Sequence, residues 1–223
     1  MQARHTDRKC YFEESAQSSA RYYLPYILQY HSVSNTDRIL EVGCGEGGNL
    51  KPFAQKGCVV TGIDMANVRI EQAKRFFKED GLVGNFICHD FMTFTPPVHY
   101  NDKYSIIILH DVIEHVVCKE NLIKHISCFL RPDGILFVAF PAWYMPFGGH
   151  QQICRNAIWS KMPYFHLLPT FLYRFILEKC AHEEPDTVAE LLYIKRCKMH
   201  IEQFETLVHQ LNMTIINLQL WLV

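Results

Sequence analysis

The segment Glu41-Val42-Gly43-Cys44-Gly45-Glu46-Gly47-Gly48 concentrates residue types suited to holding a nucleotide-like ligand. Glycines remove the Cβ atoms that would keep a ligand away from the backbone, and the helix expected to follow offers unpaired N–H groups at its start. Asp64 lies about 20 residues further on, at the end of the next apolar run, where a carboxylate accepts both hydroxyls of a ribose. The spacing Gly43-x-Gly45-x-x-Gly48 also satisfies the dinucleotide fingerprint, so these residues alone leave a nicotinamide cofactor open. No Tyr-x-x-x-Lys pair occurs in the chain, and nothing else marks a hydride-transfer site.

Glu41 stands two residues before the first glycine, and with Gly43, Gly45 and Gly47 it closely resembles motif I of the class I S-adenosylmethionine-dependent methyltransferases. The resemblance continues through Asp64 and Met65 in GIDM, Asp90 and Phe91 in ICHDF, and LHDVIEHV at 109–116, which is similar to the ubiquinone-biosynthesis and related small-molecule branch. It implies S-adenosyl-L-methionine as cofactor and S-adenosyl-L-homocysteine as product. It further implies that Glu41, Gly43, Cys44, Gly45 and Gly47 form the cofactor loop. Asp64 would take the ribose, Met65 would stack beside adenine, Asp90 would accept from the adenine amino group with Phe91 beside it, and His110 and Asp111 would border the methionine end.

The reaction implied is an in-line displacement in which an O, N, S or C nucleophile attacks the sulfonium methyl group. The sulfonium is already a strong electrophile, so the protein must position, desolvate and, for a hydroxyl, accept a proton. His150 in PFGGHQQ is the first candidate base, set between paired glycines and two glutamines; the competing reading is a histidine that only hydrogen-bonds within its loop. His115 is the second candidate, with a structural place at a helix start as its alternative. His110, Asp111, Glu114 and His115 could be imagined as metal ligands, but the expectation is no metal, with cofactor contact and helix N-terminal acids as the plainer reading. Arg21 on an N-terminal helix could meet the methionine carboxylate; its alternative is an exposed helical charge.

Positioning these groups calls for an α/β Rossmann-like, doubly wound and mostly parallel sheet with helices on both faces. Strands are expected at 38–43, 58–64, 85–90, 104–111 and 134–141, with helices at 49–57, through 66–80 and at 119–130. The turn Arg131-Pro132-Asp133-Gly134 should close the last of these helices. Residues 10–31 should form one or two helices capping the sheet, with Pro25 near the start of the second. After Pro141 the pattern changes: 142–182 carries nine aromatics among three prolines. Phe171, Leu172, Phe175 and Ile176 fall at helical spacing there, a stripe that usually packs in a core. Residues 142–198 are expected to be an aromatic-rich substrate lid over an apolar pocket, or a dimer interface. A helix at 200–212 and a sixth strand at 213–223 should complete a single domain, 1–223. The resemblance implies seven strands, so one is missing. Truncation, or pairing with another chain through the insertion or the last strand, would account for that.

Composition narrows the partners. The 223 residues carry 22 Lys and Arg against 23 Asp and Glu, with no block of like charge, which gives no electrostatic reason to bind nucleic acid or an anionic membrane. Nine cysteines without a C-x-x-C pair suggest neither a disulfide framework nor a zinc site. The N-terminus lacks an apolar signal core, and no stretch approaches about 18 uninterrupted apolar residues. The reading is a cytoplasmic enzyme acting on a small, partly apolar acceptor, most simply by O-methylation, with N- or C-methylation or a non-catalytic cofactor-binding module as alternatives.

Overall fold

The computed structural model describes residues 7–221, and they form two compact units: the chain up to Val112 with His125–Phe140, and Ile113–Lys124 with the chain from Pro141 onward. The first unit opens with α1 (Arg8–Ser18), a π-helical turn (Ser19–Tyr23) and α2 (Leu24–Ile27), wound as one continuous helix. Asp7 caps its start by accepting from the N–H of Cys10 at 3.0 Å.

Five strands follow with their helices: β1 (Arg38–Val42), α3 (Lys51–Gln55), β2 (Val59–Asp64), α4 (Asn67–Glu79), β3 (Asn85–Cys88), β4 (Tyr104–His110), α5 (Lys119–Phe129) and β5 (Leu130–Ala139). All pairings are parallel, in the order β3-β2-β1-β4-β5. β1 and β4 are buried almost throughout, and their runs of Ile, Leu and Val suit strands covered on both faces. The order of strands reverses between β1 and β4, so the chain diverges at their carboxyl ends and leaves a crevice there. Val42 pairs with Leu109, which sets Gly43 and His110 at that crevice. Phe12, Ile39, Leu50, Phe53, Ile70, Phe76, Phe77, Phe86, Ile106 and Ile108 fill the core of this unit.

The second unit contains α6 (Thr170–Phe175), continued by a π-helical turn (Ile176–Cys180), then α7 (Pro185–Cys197) and α8 (Ile201–Gln210), with several single 3-10 turns before them. It has its own core of Cys154, Phe165, Tyr173, Leu177, Val188 and Leu191. The buried pair on α6 and its continuation is therefore Tyr173 and Leu177. The expected Phe171/Phe175 stripe points the other way, with Phe171 76% and Phe175 54% exposed.

Two other expectations are corrected. The segment 213–221 is extended but joins no ladder among the described residues, and Ile216, Leu218 and Leu220 are exposed; Leu222 and Val223, the end of the expected strand, and residues 1–6 lie outside the described residues. Period-two alternation reports that a segment can form a strand, whereas a strand also requires an edge to pair with. The turn at 131–134 is a bulge inside β5: Tyr104 pairs with Leu130 and Ile106 with Ile135, so the intervening residues loop out of the ladder.

Candidate functional site

In the first unit, a cavity at the β1/β4 crevice encloses about 110 Å³. Glu41, Gly43, Cys44, Gly45, Glu46, Gly48 and Asn49 form one wall, His110 and Asp111 a second, Arg69 of α4 a third, and Tyr11, Phe12 and Ser15 of α1 the cover. The glycine loop is held by main-chain bonds: Gly43 and Cys44 both donate to the Ile63 carbonyl, at 2.8 and 3.1 Å. Asp64 receives the N–H of Gly45 at 2.9 Å on one carboxylate oxygen and the N–H of Ala66 at 2.8 Å on the other. Each of those oxygens retains a lone pair for a ligand.

Glu41 is 1% exposed. Asn49 donates to its Oε1 at 2.7 Å, while Oε2 has no hydrogen-bond partner. Burial, followed by the nearby Asp64, pushes its carboxyl up to about 8, and the Asn49 bond offsets part of this. The orphaned Oε2 of Glu41 suits an ammonium group, and the open lone pairs of Asp64 suit the hydroxyls of a ribose.

The N-terminal helix is clasped to this loop. Arg8 donates from both Nε and a terminal nitrogen to Oε1 of Glu46, Lys51 pairs with Glu13 at 2.7 Å, and Ser19 donates to the Asn49 carbonyl at 2.8 Å. Gly48 is required here, since a Cβ at this position would stand 2.5 Å from the Phe12 carbonyl oxygen.

The second unit holds a separate cluster. Glu114 is 1% exposed, and neither of its carboxylate oxygens has a hydrogen-bond partner. Nε2 of His150 lies 3.6 Å and Nε2 of His115 3.7 Å from Glu114 Oε1, with the two imidazole rings 5.0 Å apart. His150 adopts a left-handed conformation, φ 56°, and Gly149 beside it admits the close approach of His166, whose Cβ would be 2.2 Å from any Cβ there. Gln151 is not a partner of His150; it is buried and ties the loop together through the carbonyls of Pro146 and Met162, at 2.8 and 3.1 Å. One carboxylate and two imidazoles whose ligand atoms all lie within 4.8 Å of one another can share protons or hold a divalent cation.

Comparison with known proteins agrees with this geometry. A family model described as a methyltransferase domain matches residues 12–164. The chain belongs to the methyltransferase-domain family. Its sequence falls with the class I S-adenosylmethionine-dependent group, in the ubiquinone-biosynthesis-like branch. It is 31% identical over 140 residues to a ubiquinone biosynthesis O-methyltransferase from Histophilus somni, covering 59% of this chain and 58% of that protein. A Coxiella burnetii enzyme of the same name is 32% identical over 114 residues, covering 51% of this chain and 47% of that one. The chain thus spans about half the length of the curated relatives it matches. In fold, it resembles the plantazolicin methyltransferase BpumL in complex with a desmethylPZN analog and SAH, with a TM-score of 0.56, 15% identity, and coverage of 90% of this chain and 64% of that one.

Within this methyltransferase domain the cavity gathers Glu41, Gly43, Cys44, Gly45, His110 and Asp111 as the sequence suggested, with Asp64 directly behind Gly45. Gly47 lies in the same loop, one residue from the cavity wall formed by Gly48. Four expected contacts do not line it. Met65 is 73% exposed, and Asp90 is exposed with its carboxylate capping a 3-10 turn through the N–H of Met92 at 2.9 Å. That turn directs Phe91 inward, where it is buried against Phe129, ring centres 4.9 Å apart. Arg21 is exposed and stacks over Tyr22. Phe12, Ser15, Glu46, Asn49 and Arg69 were missed, three of them because they come from helices whose sequences carry no motif. His166 is fully buried, with its Nε2 2.7 Å from the Trp143 carbonyl.

Proposed function

We propose that the protein containing this chain transfers the methyl group of S-adenosyl-L-methionine to a hydroxyl oxygen of a small, partly apolar molecule. The observation that carries this is the cavity at the β1/β4 crevice, lined by the glycine loop and by Glu41, whose buried Oε2 has no hydrogen-bond partner. The names of the relatives, O-methyltransferases of ubiquinone biosynthesis, favour oxygen over nitrogen or carbon as the acceptor atom. In the step, the acceptor oxygen attacks the methyl carbon in line, the carbon–sulfur bond breaks toward sulfur, and the hydroxyl proton passes to a base.

His150 is assigned as that base, with His115 as second candidate and Glu114 as the carboxylate that steadies both imidazoles. Cofactor contacts are assigned to Glu41, Gly43, Cys44, Gly45, Gly47, Asp64, His110 and Asp111. Met65, Asp90, Phe91 and Arg21 could reach a cofactor only after a rearrangement. The segment 142–198 is assigned as a substrate lid, the segment from 213 as a pairing surface between copies, and the location as cytoplasmic. A metal-assisted reading rests on the Glu114, His115 and His150 cluster and would replace base catalysis with Lewis-acid activation of the hydroxyl.

The test supplies methyl-labelled S-adenosylmethionine with a panel of small phenols, carboxylic acids and amines. Label on phenolic oxygen is expected, and loss of turnover in His150→Ala with unchanged cofactor affinity. Label confined to amines would overturn the assignment of the acceptor atom. Loss of wild-type turnover on adding a chelator, restored by a divalent cation, would favour the metal reading.

A further inference from the structure

The helix from Arg8 to Ile27 carries its π-helical turn for an identifiable reason. Pro25 has no N–H to give to the Arg21 carbonyl, and the ladder adjusts by one residue, the N–H of Leu24 donating to Ser19 five positions back. The turn ends on Tyr23. The Tyr23 hydroxyl lies 2.8 Å from Nε2 of His110, and its ring packs 5.1 Å from that of Phe137 on β5. His110 ends β4 and lines the cavity, with its Nδ1 3.7 Å from Oδ2 of Asp111. Asp111 takes a left-handed conformation, φ 51°, with its N–H held by the Ala139 carbonyl at 3.0 Å. A residue other than glycine keeps such a conformation only where its surroundings over-determine it.

Burial, then the acids Asp111 and Glu41 and the phenol of Tyr11, push the Tyr23 phenol well above its usual range, so it retains its proton. The Asp111 carboxylate beside Nδ1 can only accept, which favours the imidazole proton on Nδ1 and leaves Nε2 to accept from the Tyr23 hydroxyl. We propose that Tyr23 is a positioning residue for the cofactor: its hydroxyl fixes His110 as the neutral Nδ1–H tautomer and so turns an N–H toward the Asp111 carboxylate in the cavity wall. An N–H aimed at that carboxylate orients it where His110 and Asp111 line the cavity. The other charged and titratable groups around the cavity are Tyr11 with Arg8 over its ring, Glu41, Glu46 and Arg69. The binding half of this inference rests on the cofactor reading above; the tautomer half does not.

The experiment is nitrogen-15 NMR of imidazole-labelled protein, His110 being identified by its loss in His110→Gln, alongside calorimetry with S-adenosylhomocysteine. Wild type should show His110 protonated on Nδ1 and bare on Nε2. Tyr23→Phe, which keeps the ring on Phe137, should give a mixture of tautomers and a roughly tenfold weaker affinity, the equivalent of one lost hydrogen bond of about 1.4 kcal/mol. Tyr26→Phe, whose ring also faces Phe137, should change neither. An unaltered tautomer in Tyr23→Phe, or an unaltered affinity, would overturn the proposal. Failure of the wild type to bind S-adenosylhomocysteine, with the tautomer as expected, would instead overturn the cofactor reading.

Discussion

Glu41 makes the pH behaviour of the cavity calculable in sign. Its carboxyl is pushed up to about 8 in the folded chain, against about 4.3 for an exposed glutamate, so between those values the folded state holds more proton than the unfolded one. Stability therefore declines as pH rises through that window, because the carboxylate must ionise where it is buried. A cationic ligand reverses the balance: it favours the carboxylate, expels the proton on binding, and should bind more tightly as pH rises toward 8. Calorimetry in two buffers of different ionisation enthalpy should detect the released proton, and Glu41→Gln should abolish both the release and the pH dependence. Asp64→Ala removes the acceptor for two main-chain N–H groups and should weaken cofactor binding by about 1–3 kcal/mol. At this scale, spacing after a strand made Glu41, Gly43, Gly45 and His110 legible. Phe12, Ser15 and Arg69 were not, since a side chain on a helix reaches a cavity through packing that no local motif records. The Glu114–His150 approach is hidden for the same reason, its partners being distant in sequence.

At the scale of elements, the position of α1 depends on one missing methyl group. Gly48→Ala would place a Cβ 2.5 Å from the Phe12 carbonyl, a main-chain atom that cannot rotate away, and should cost roughly 1–3 kcal/mol in denaturant unfolding. Arg8 ties α1 to Glu46 in the cavity wall, and Arg8→Ala should raise the association rate of the cofactor measured by stopped flow. The helix after 170 separates two readings of one pattern. Tyr173→Ala should cost about 3–5 kcal/mol, whereas Phe171→Ala should stay within about 0.5 kcal/mol. Both pairs, Phe171/Phe175 and Tyr173/Leu177, have helical spacing, and only the packed structure distinguishes which one faces the core. The five strands were legible from their apolar runs and the sixth was not, because alternation carries no information about a vacant edge.

For the molecule as a whole, the two units each have a core, and the parallel sheet of the first is built around its cofactor cavity. Among the described residues no helix is long and apolar enough to cross a membrane. The near balance of 22 basic and 23 acidic side chains remains an argument for a small-molecule acceptor. The fold and the cofactor class were readable because the glycine loop, Asp64 and the His110–Asp111 pair fall at the carboxyl ends of β1, β2 and β4, a placement imposed by the topology. The acceptor was not readable, because its pocket depends on side chains from irregular segments. The central claim is tested most directly by titrating the chain with S-adenosylmethionine, S-adenosylhomocysteine and a nicotinamide dinucleotide in a calorimeter. Saturable binding of the first two, weakened by Asp64→Ala, is the predicted result. Binding of the nicotinamide dinucleotide alone, or of none of the three, would contradict it.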